Sequence, residues 1–173
     1  MSNKISVILF LCLIIWKENI VEADSKALIS IEGRLSGNKK FEALDGFHGT
    51  WLEAMLECKA NNMELYSIDS KDDNAAVFTY LRTRFGNTTA GFWTSGYYSS
   101  SKQWVWMTTG KEVVYTNWED DQPDNVDDEN KEVIEATYKY DKGLLWNDRA
   151  MSEKLGVLCE EIKCKNNDTD TKN

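Results

Sequence analysis

Apolar residues recur along this chain with two different periods, and the period changes near the middle. From Thr50 the spacing is helical: Trp51, Ala54, Met55 and Cys58 fall at i, i+3, i+4 and i+7. Thr50, with Glu53 three residues later, has the form of a capping box. Asn61-Asn62 ends this helix, and Met63 to Ile68 alternates as a strand. Ser70 with Asp73 opens a second predicted helix, with Ala76, Tyr80 and Leu81 on its buried side, running to Phe85-Gly86. Beyond that point the chain reads as strands: Phe92 to Gly96, Trp104 to Met107 (closed by Thr108-Thr109-Gly110), Val113 to Tyr115, Val133 to Tyr140, and Leu155 to Glu160. Upstream, Asp24 to Asn38 alternates weakly and predicts an N-terminal strand with a turn at Ser36-Gly37-Asn38. Two helices followed by several short strands predict an α+β domain with the helices on one side. No internal repeat is present.

The two ends stand outside this pattern. Lys4 precedes an apolar run from Ile5 to Ile15, too short to span a bilayer, and Val21-Glu22-Ala23 suits cleavage before Asp24. Residues 1–23 therefore predict a secretory signal peptide, with no later stop-transfer segment, and a secreted, extracellular product. Residues 24–39 form an N-terminal extension, 40–162 the domain, and 163–173 a polar C-terminal tail. About 150 residues remain after cleavage, enough for one domain with a sizeable core. Sequons at Asn87 and Asn167 predict N-glycosylation. Of the four cysteines, Cys12 leaves with the signal peptide. Cys58, Cys159 and Cys164 remain, so one internal pair forms and one thiol is left over.

Charge narrows the partners. The formal net charge is −9, and removing residues 1–23 takes two lysines and two glutamates and leaves it unchanged. Nucleic acid and anionic membranes both require a basic face, so neither is a partner, and no membrane insertion is expected. The acidity concentrates between Asn117 and Asn130, where Glu119, Asp120, Asp121, Asp124, Asp127, Asp128 and Glu129 surround the single proline, Pro123. Seven carboxylates this close repel one another unless they are solvated or a cation neutralises them. Carboxylates and amide carbonyls are the hard oxygen donors that Ca²⁺ takes.

The ordered set of motifs resembles a C-type lectin-like domain over roughly residues 40 to 162. The motifs are Trp51-x-x-Ala54-x-x-x-Cys58, Leu65-x-Ser67-Ile68, Phe92-Trp93-Thr94-Ser95-Gly96, Trp104-x-Trp106, Tyr115-x-Asn117-Trp118, Gln122-Pro123-Asp124, Trp146-Asn147-Asp148 and Leu158-Cys159-Glu160. The form is similar to that of secreted arthropod members. The resemblance implies an α+β fold in which two helices pack on small antiparallel sheets with a long irregular calcium-binding loop. It implies core packing for Trp51, Trp93, Trp104, Trp106 and Trp118. It also implies a disulfide between Cys58 and Cys159, whose loop of about 100 residues is worth roughly 4–5 kcal/mol in the chain-entropy model. Cys164 is then left to join a second copy in a homodimer, with Cys58–Cys164 as the competing pairing. A second disulfide usual in the family is absent: its positions carry the Glu132-Val133-Ile134 stretch and Met151, where an apolar contact takes the place of the bridge.

In the resembling lectins the proline of the tripeptide is cis, and both flanking side chains meet one Ca²⁺. Carried onto this chain, Gln122, Asp124, Asn147 and Asp148 hold the ion, with Glu129 or Asn130 closing the shell. The family's glutamate position falls on Asn130, and Glu129 stands one place earlier. Vicinal sugar hydroxyls complete such a shell, so Gln122, Asp124, Asn147 and Asp148 also bind carbohydrate. Gln-Pro-Asp is the form associated with galactose and N-acetylgalactosamine. Val126 stands where galactose-type members tend to carry an aromatic, leaving Tyr97 or Tyr98 as a substitute.

Two functions follow from the resemblance. One is a calcium-dependent lectin for galactose-type sugars or glycoproteins; the other is a lectin-like module that binds a host or pathogen protein. An enzyme is not expected. His48 follows the turn-like Asp45-Gly46 with no Ser or Cys arrangement to activate, and Asp120, Asp121 and Glu135 only imitate a hydrolase pair.

Overall fold

The computed structural model describes residues 39–124 and 133–162. The signal peptide, the N-terminal strand, Val126, Glu129, Asn130, Cys164, Asn167 and the C-terminal tail lie outside the described residues.

Both helices begin where their caps predict. In α1 (Trp51–Ala60) the Thr50 hydroxyl accepts the Glu53 N–H, and the Glu53 carboxylate accepts the Thr50 N–H at 2.8 Å. Each side chain thus satisfies an orphan donor of the first turn. Trp51, Ala54 and Cys58 are buried and Met55 is half-buried, as the spacing requires. Asn61 caps the far end, and Asn62, at φ 57°, turns the chain into β2 (Met63–Leu65). That strand stops after three residues, short of the predicted Ile68. In α2 (Lys71–Phe85), Ser70 accepts the Asp73 N–H at 3.1 Å. Its buried face carries Val77, Tyr80 and Leu81, with Ala76 only half-buried. Asn74 is also buried, because it is fully used: its Nδ2 donates to the Leu144 carbonyl and its Oδ1 accepts the Trp146 indole N–H, both at 3.0 Å. These bonds pin α2 to a strand seventy residues away.

The strands build around β3 (Thr89–Tyr98), longer than its apolar centre predicts. Its polar positions are consumed inside: Thr94 and Ser95 are fully buried, and Thr94 Oγ1 donates to the Ile134 carbonyl at 2.8 Å. Glycine is required at 96, where a Cβ would stand 2.4 Å from Ile134 Cδ1. β3 pairs antiparallel with β4 (Trp104–Trp106) and with β6 (Val133–Lys139). β4 continues to β5 (Lys111–Glu112), and β6 forms a hairpin with β7 (Gly143–Arg149). The last strand, β8 (Gly156–Glu161), is flanked by β1 (Phe41–Ala43) and β2, both antiparallel. β8 meets β3 in parallel, so the sheets are antiparallel except at this one contact. Val113 to Tyr115 is not a strand. Val113 is buried, Val114 is 89% exposed, and Tyr115 packs edge-on against Trp146.

Two apolar clusters fill the interior. One lies between α2 and the β6–β7 hairpin, around Val77, Leu81, Trp106, Ile134 and Trp146. The other surrounds α1, with Trp51, Trp93, Val133 and Val157. Trp51, Trp93 and Trp106 are buried as expected, whereas Trp104 and Trp118 are half-buried and pack against the first cluster. Trp146 is fully buried. The Cys58–Cys159 disulfide joins α1 to β8 across 101 residues. Val133 and Met151, at the positions of the missing second bridge, belong to the same apolar cluster.

Candidate functional site

The segment entering the acidic loop is laid alongside β7. The Trp146 N–H donates to the Asn117 carbonyl and the Glu119 N–H to the Trp146 carbonyl, both at 2.9 Å, so Trp118 and Trp146 form a parallel bridge. The Asn117 amide donates to the Leu144 carbonyl at 2.6 Å. Tilted and edge-on aromatic rings back this seam: Trp118 lies 5.2 Å from Trp104 and 5.7 Å from Trp146, centroid to centroid. The sequence separates Trp118 from Trp146 by 28 positions, so only a long-range pairing brings their motifs together.

The chain then turns. Gln122 N–H donates to the Glu119 carbonyl at 3.0 Å, Asp121 sits at φ 63°, and the Gln122–Pro123 peptide bond is cis. This delivers the Asp124 N–H to Asp148 Oδ1 at 3.2 Å. Asp148 is fully buried on the face of β7 that also carries Leu144 and Trp146, while Asn147 is half-buried at the alternate position of the pleat. Gln122, Asp124 and Asp148 are thus gathered, with Asn147 adjacent to them in the chain. The Gln122 side-chain oxygen is sealed from water and has no hydrogen-bond partner among the described residues. An acceptor in that state costs about 1–3 kcal/mol.

A buried amide oxygen without a hydrogen-bond partner among the described residues, two positions from Asp124, whose N–H meets the Asp148 carboxylate, is the donor chemistry of a hard cation. The residues fit Ca²⁺ on that ground. Among the described residues no three His, Cys, Asp or Glu side chains cluster to hold a metal. The sequence does not anticipate Asn117, Glu119 and Lys139 as the residues that tie the loop entry to β6 and β7, since nothing local marks them.

The other candidate residues fall elsewhere. Tyr98 packs at a tilt against Trp104 at 5.1 Å, continuing the aromatic row, and Tyr97 pairs with Val133 across β3 and β6. His48, Asp120 and Asp121 are exposed. Glu135 is buried and accepts the Arg149 Nε–H at 2.6 Å, so it is a structural ion pair with no partner carboxylate. Asn87 lies exposed between α2 and β3. On β8, burial raises the Glu160 carboxyl to about 7, against the opposing pull of Lys39 and the Ser67 N–H.

Residues 48–161 match the family model for the lectin C-type domain. The chain is 29% identical over 118 residues to a lectin subunit alpha of Sarcophaga peregrina, covering 64% of this chain. It spans 40% of the length of that protein. A C-type lectin of Aedes aegypti is 25% identical over 127 residues, covering 71% of this chain and 83% of that one. An alpha-N-acetylgalactosamine-specific lectin of Patiria pectinifera is 29% identical over 97 residues, 56% of each chain. Among solved structures, the C-type lectin CEL-I of Cucumaria echinata superposes with a TM-score of 0.60 at 25% identity, covering 73% of this chain and 91% of that one. These relatives are lectins, carbohydrate-binding domains and not enzymes. With the lectin C-type domain model matching residues 48–161, most of its length, the chain belongs to the C-type lectin family.

Proposed function

We propose that this chain is a secreted, calcium-dependent carbohydrate-binding protein selective for galactose and N-acetylgalactosamine. Gln122, Asp124, Asn147 and Asp148 hold the Ca²⁺ and meet the sugar, with Glu129 closing the shell. The carrying observation is the Gln122 side-chain oxygen, buried without a partner beside the Asp124–Asp148 contact. The bound cation supplies the positive charge these oxygens lack and presents open coordination positions to vicinal hydroxyls. Gln-Pro-Asp sets the order of donors and acceptors that the sugar meets, and the named specificity of the Patiria relative supports the same sugar class. The mature protein carries N-glycans on Asn87 and Asn167 and forms a disulfide-linked homodimer through Cys164.

The test is a glycan array run in millimolar Ca²⁺ and again in EDTA. Terminal galactose and N-acetylgalactosamine are bound with Ca²⁺ and released by EDTA, and converting Gln122-Pro123-Asp124 to Glu-Pro-Asn shifts binding toward mannose. No glycan signal at saturating Ca²⁺ overturns the reading. The second reading, a module whose loop surface meets a host or pathogen protein, is favoured by Asn130 standing where the family has a glutamate. Calcium-independent binding of a glycan-free protein establishes it.

A further inference from the structure

Glu119 is the hub of the loop entry. Its N–H is bonded to the Trp146 carbonyl on β7, and its own carbonyl accepts the Gln122 N–H. Its carboxylate is held by the Lys139 ammonium, with both side chains largely shielded (27% and 22% exposed). Lys139 is the last residue of β6 and pairs with Gly143, whereas Asp148 lies opposite Ile134. Those pairings are five residues apart on β6, about 17 Å at strand rise. Lys139 is thus set well along β6 from the pairing that carries Asp148, and its tie to the loop entry is the ion pair with Glu119.

We propose that Lys139 is a positioning residue of the calcium-and-sugar site: by anchoring Glu119 to the end of β6 it holds Gln122 where its side-chain oxygen can serve a cation. This rests on the calcium-lectin reading. The Lys139–Glu119 pair also withdraws one of the loop's seven carboxylates from competition for the ion. The remaining ties, Asn117 to Leu144 and Trp118 to Trp146, keep the segment on β7 when the pair is lost, so the effect is a loosened turn and not an unfolded loop.

Charge and positioning predict opposite signs, which makes the claim decidable. Removing a lysine beside an acidic loop favours a cation by Coulomb attraction, whereas loosening Gln122 disfavours it. The experiment is a calorimetric Ca²⁺ titration of the secreted full chain and of Lys139→Met, Glu119→Gln and the swapped Glu119→Lys/Lys139→Glu protein. Amide exchange at Gln122 and Asp124 is measured on the same proteins in EDTA. Lys139→Met weakens Ca²⁺ about threefold to tenfold, the scale of a partly shielded ion pair, and speeds exchange at Gln122. The swapped pair, with its net charge unchanged, restores both readings to within about twofold of the parent. Equal or tighter Ca²⁺ binding by Lys139→Met overturns the proposal, as does unchanged Gln122 exchange in EDTA. A parent protein that binds no Ca²⁺ sinks the lectin reading instead, and the exchange data still decide whether Lys139 positions the turn.

Discussion

At the scale of single residues, two buried polar groups set measurable behaviour. The Gln122 oxygen, without a hydrogen-bond partner among the described residues, is a cost to the metal-free protein, and under the proposed function it is a donor to the bound ion. Gln122→Met removes the unsatisfied acceptor at similar volume. Thermal unfolding in EDTA is then unchanged or raised, while the Ca²⁺-dependent gain disappears. For the parent that gain is about 2.7 kcal/mol at a hundredfold excess over Kd, worth several degrees in Tm. Glu160 is the second group. Its folded value of about 7 lies above the ordinary 4.5 because burial disfavours the carboxylate. Lys39, with Asp69 and Asp73 also on its ammonium, and Glu64 face the same cluster. Between pH 4.5 and 7 the folded state holds the extra proton, so this group's stabilisation is full below pH 4.5 and is lost as pH rises through 7. Each unit of separation is about 1.4 kcal/mol. Glu160→Gln keeps an acceptor for the Ser67 N–H and flattens the fall in Tm across that window; a slope equal to the parent's refutes the assignment.

At the scale of elements, α2 and β7 are joined by a polar bond inside an apolar cluster. Asn74→Ala leaves the Trp146 indole N–H without its acceptor, while the Leu144 carbonyl keeps the Asn117 amide. The expected loss is about 1–3 kcal/mol by urea denaturation. The cost of Ala76→Gly at the half-buried neighbour is closer to the helix-propensity value of about 1 kcal/mol. The caps at Thr50 and Ser70 were legible because they are local, each bond spanning three residues. Strand lengths were not. Thr94 and Ser95 read as polar interruptions, yet they are buried where distant backbone and hydroxyl partners meet them. Val113 to Tyr115 read as a strand from β-branched residues, yet Val114 finds no covering partner and stays in solvent.

At the scale of the whole molecule, one disulfide spans most of the described domain. Replacing Cys58 and Cys159 together by serine removes a constraint on the unfolded chain worth about 2–5 kcal/mol, read as a drop in the urea midpoint. If the α1 cluster around Trp51, Trp93 and Val157 holds without the bridge, the variant still folds and the loss sits near the lower figure. Val133 is buried in the α1 cluster and Met151 packs on the same cluster, apolar burial that constrains the folded state but not the unfolded one.

By itself the sequence determined what depends on neighbours along the chain: two capped helices and the oxygen-rich pieces Gln122-Pro123-Asp124 and Asn147-Asp148. Their types and order carried the family. Only the tertiary structure decided how those pieces meet. Trp118 bridging Trp146, the parallel contact of β3 with β8 and the reach of Lys139 to Glu119 all join residues at least 20 positions apart. Periodicity tells which face of an element is buried, but it does not tell against what. That choice is made by the packing of whole side chains in the interior, where Trp146 and Asn74 fit each other and no local rule links them.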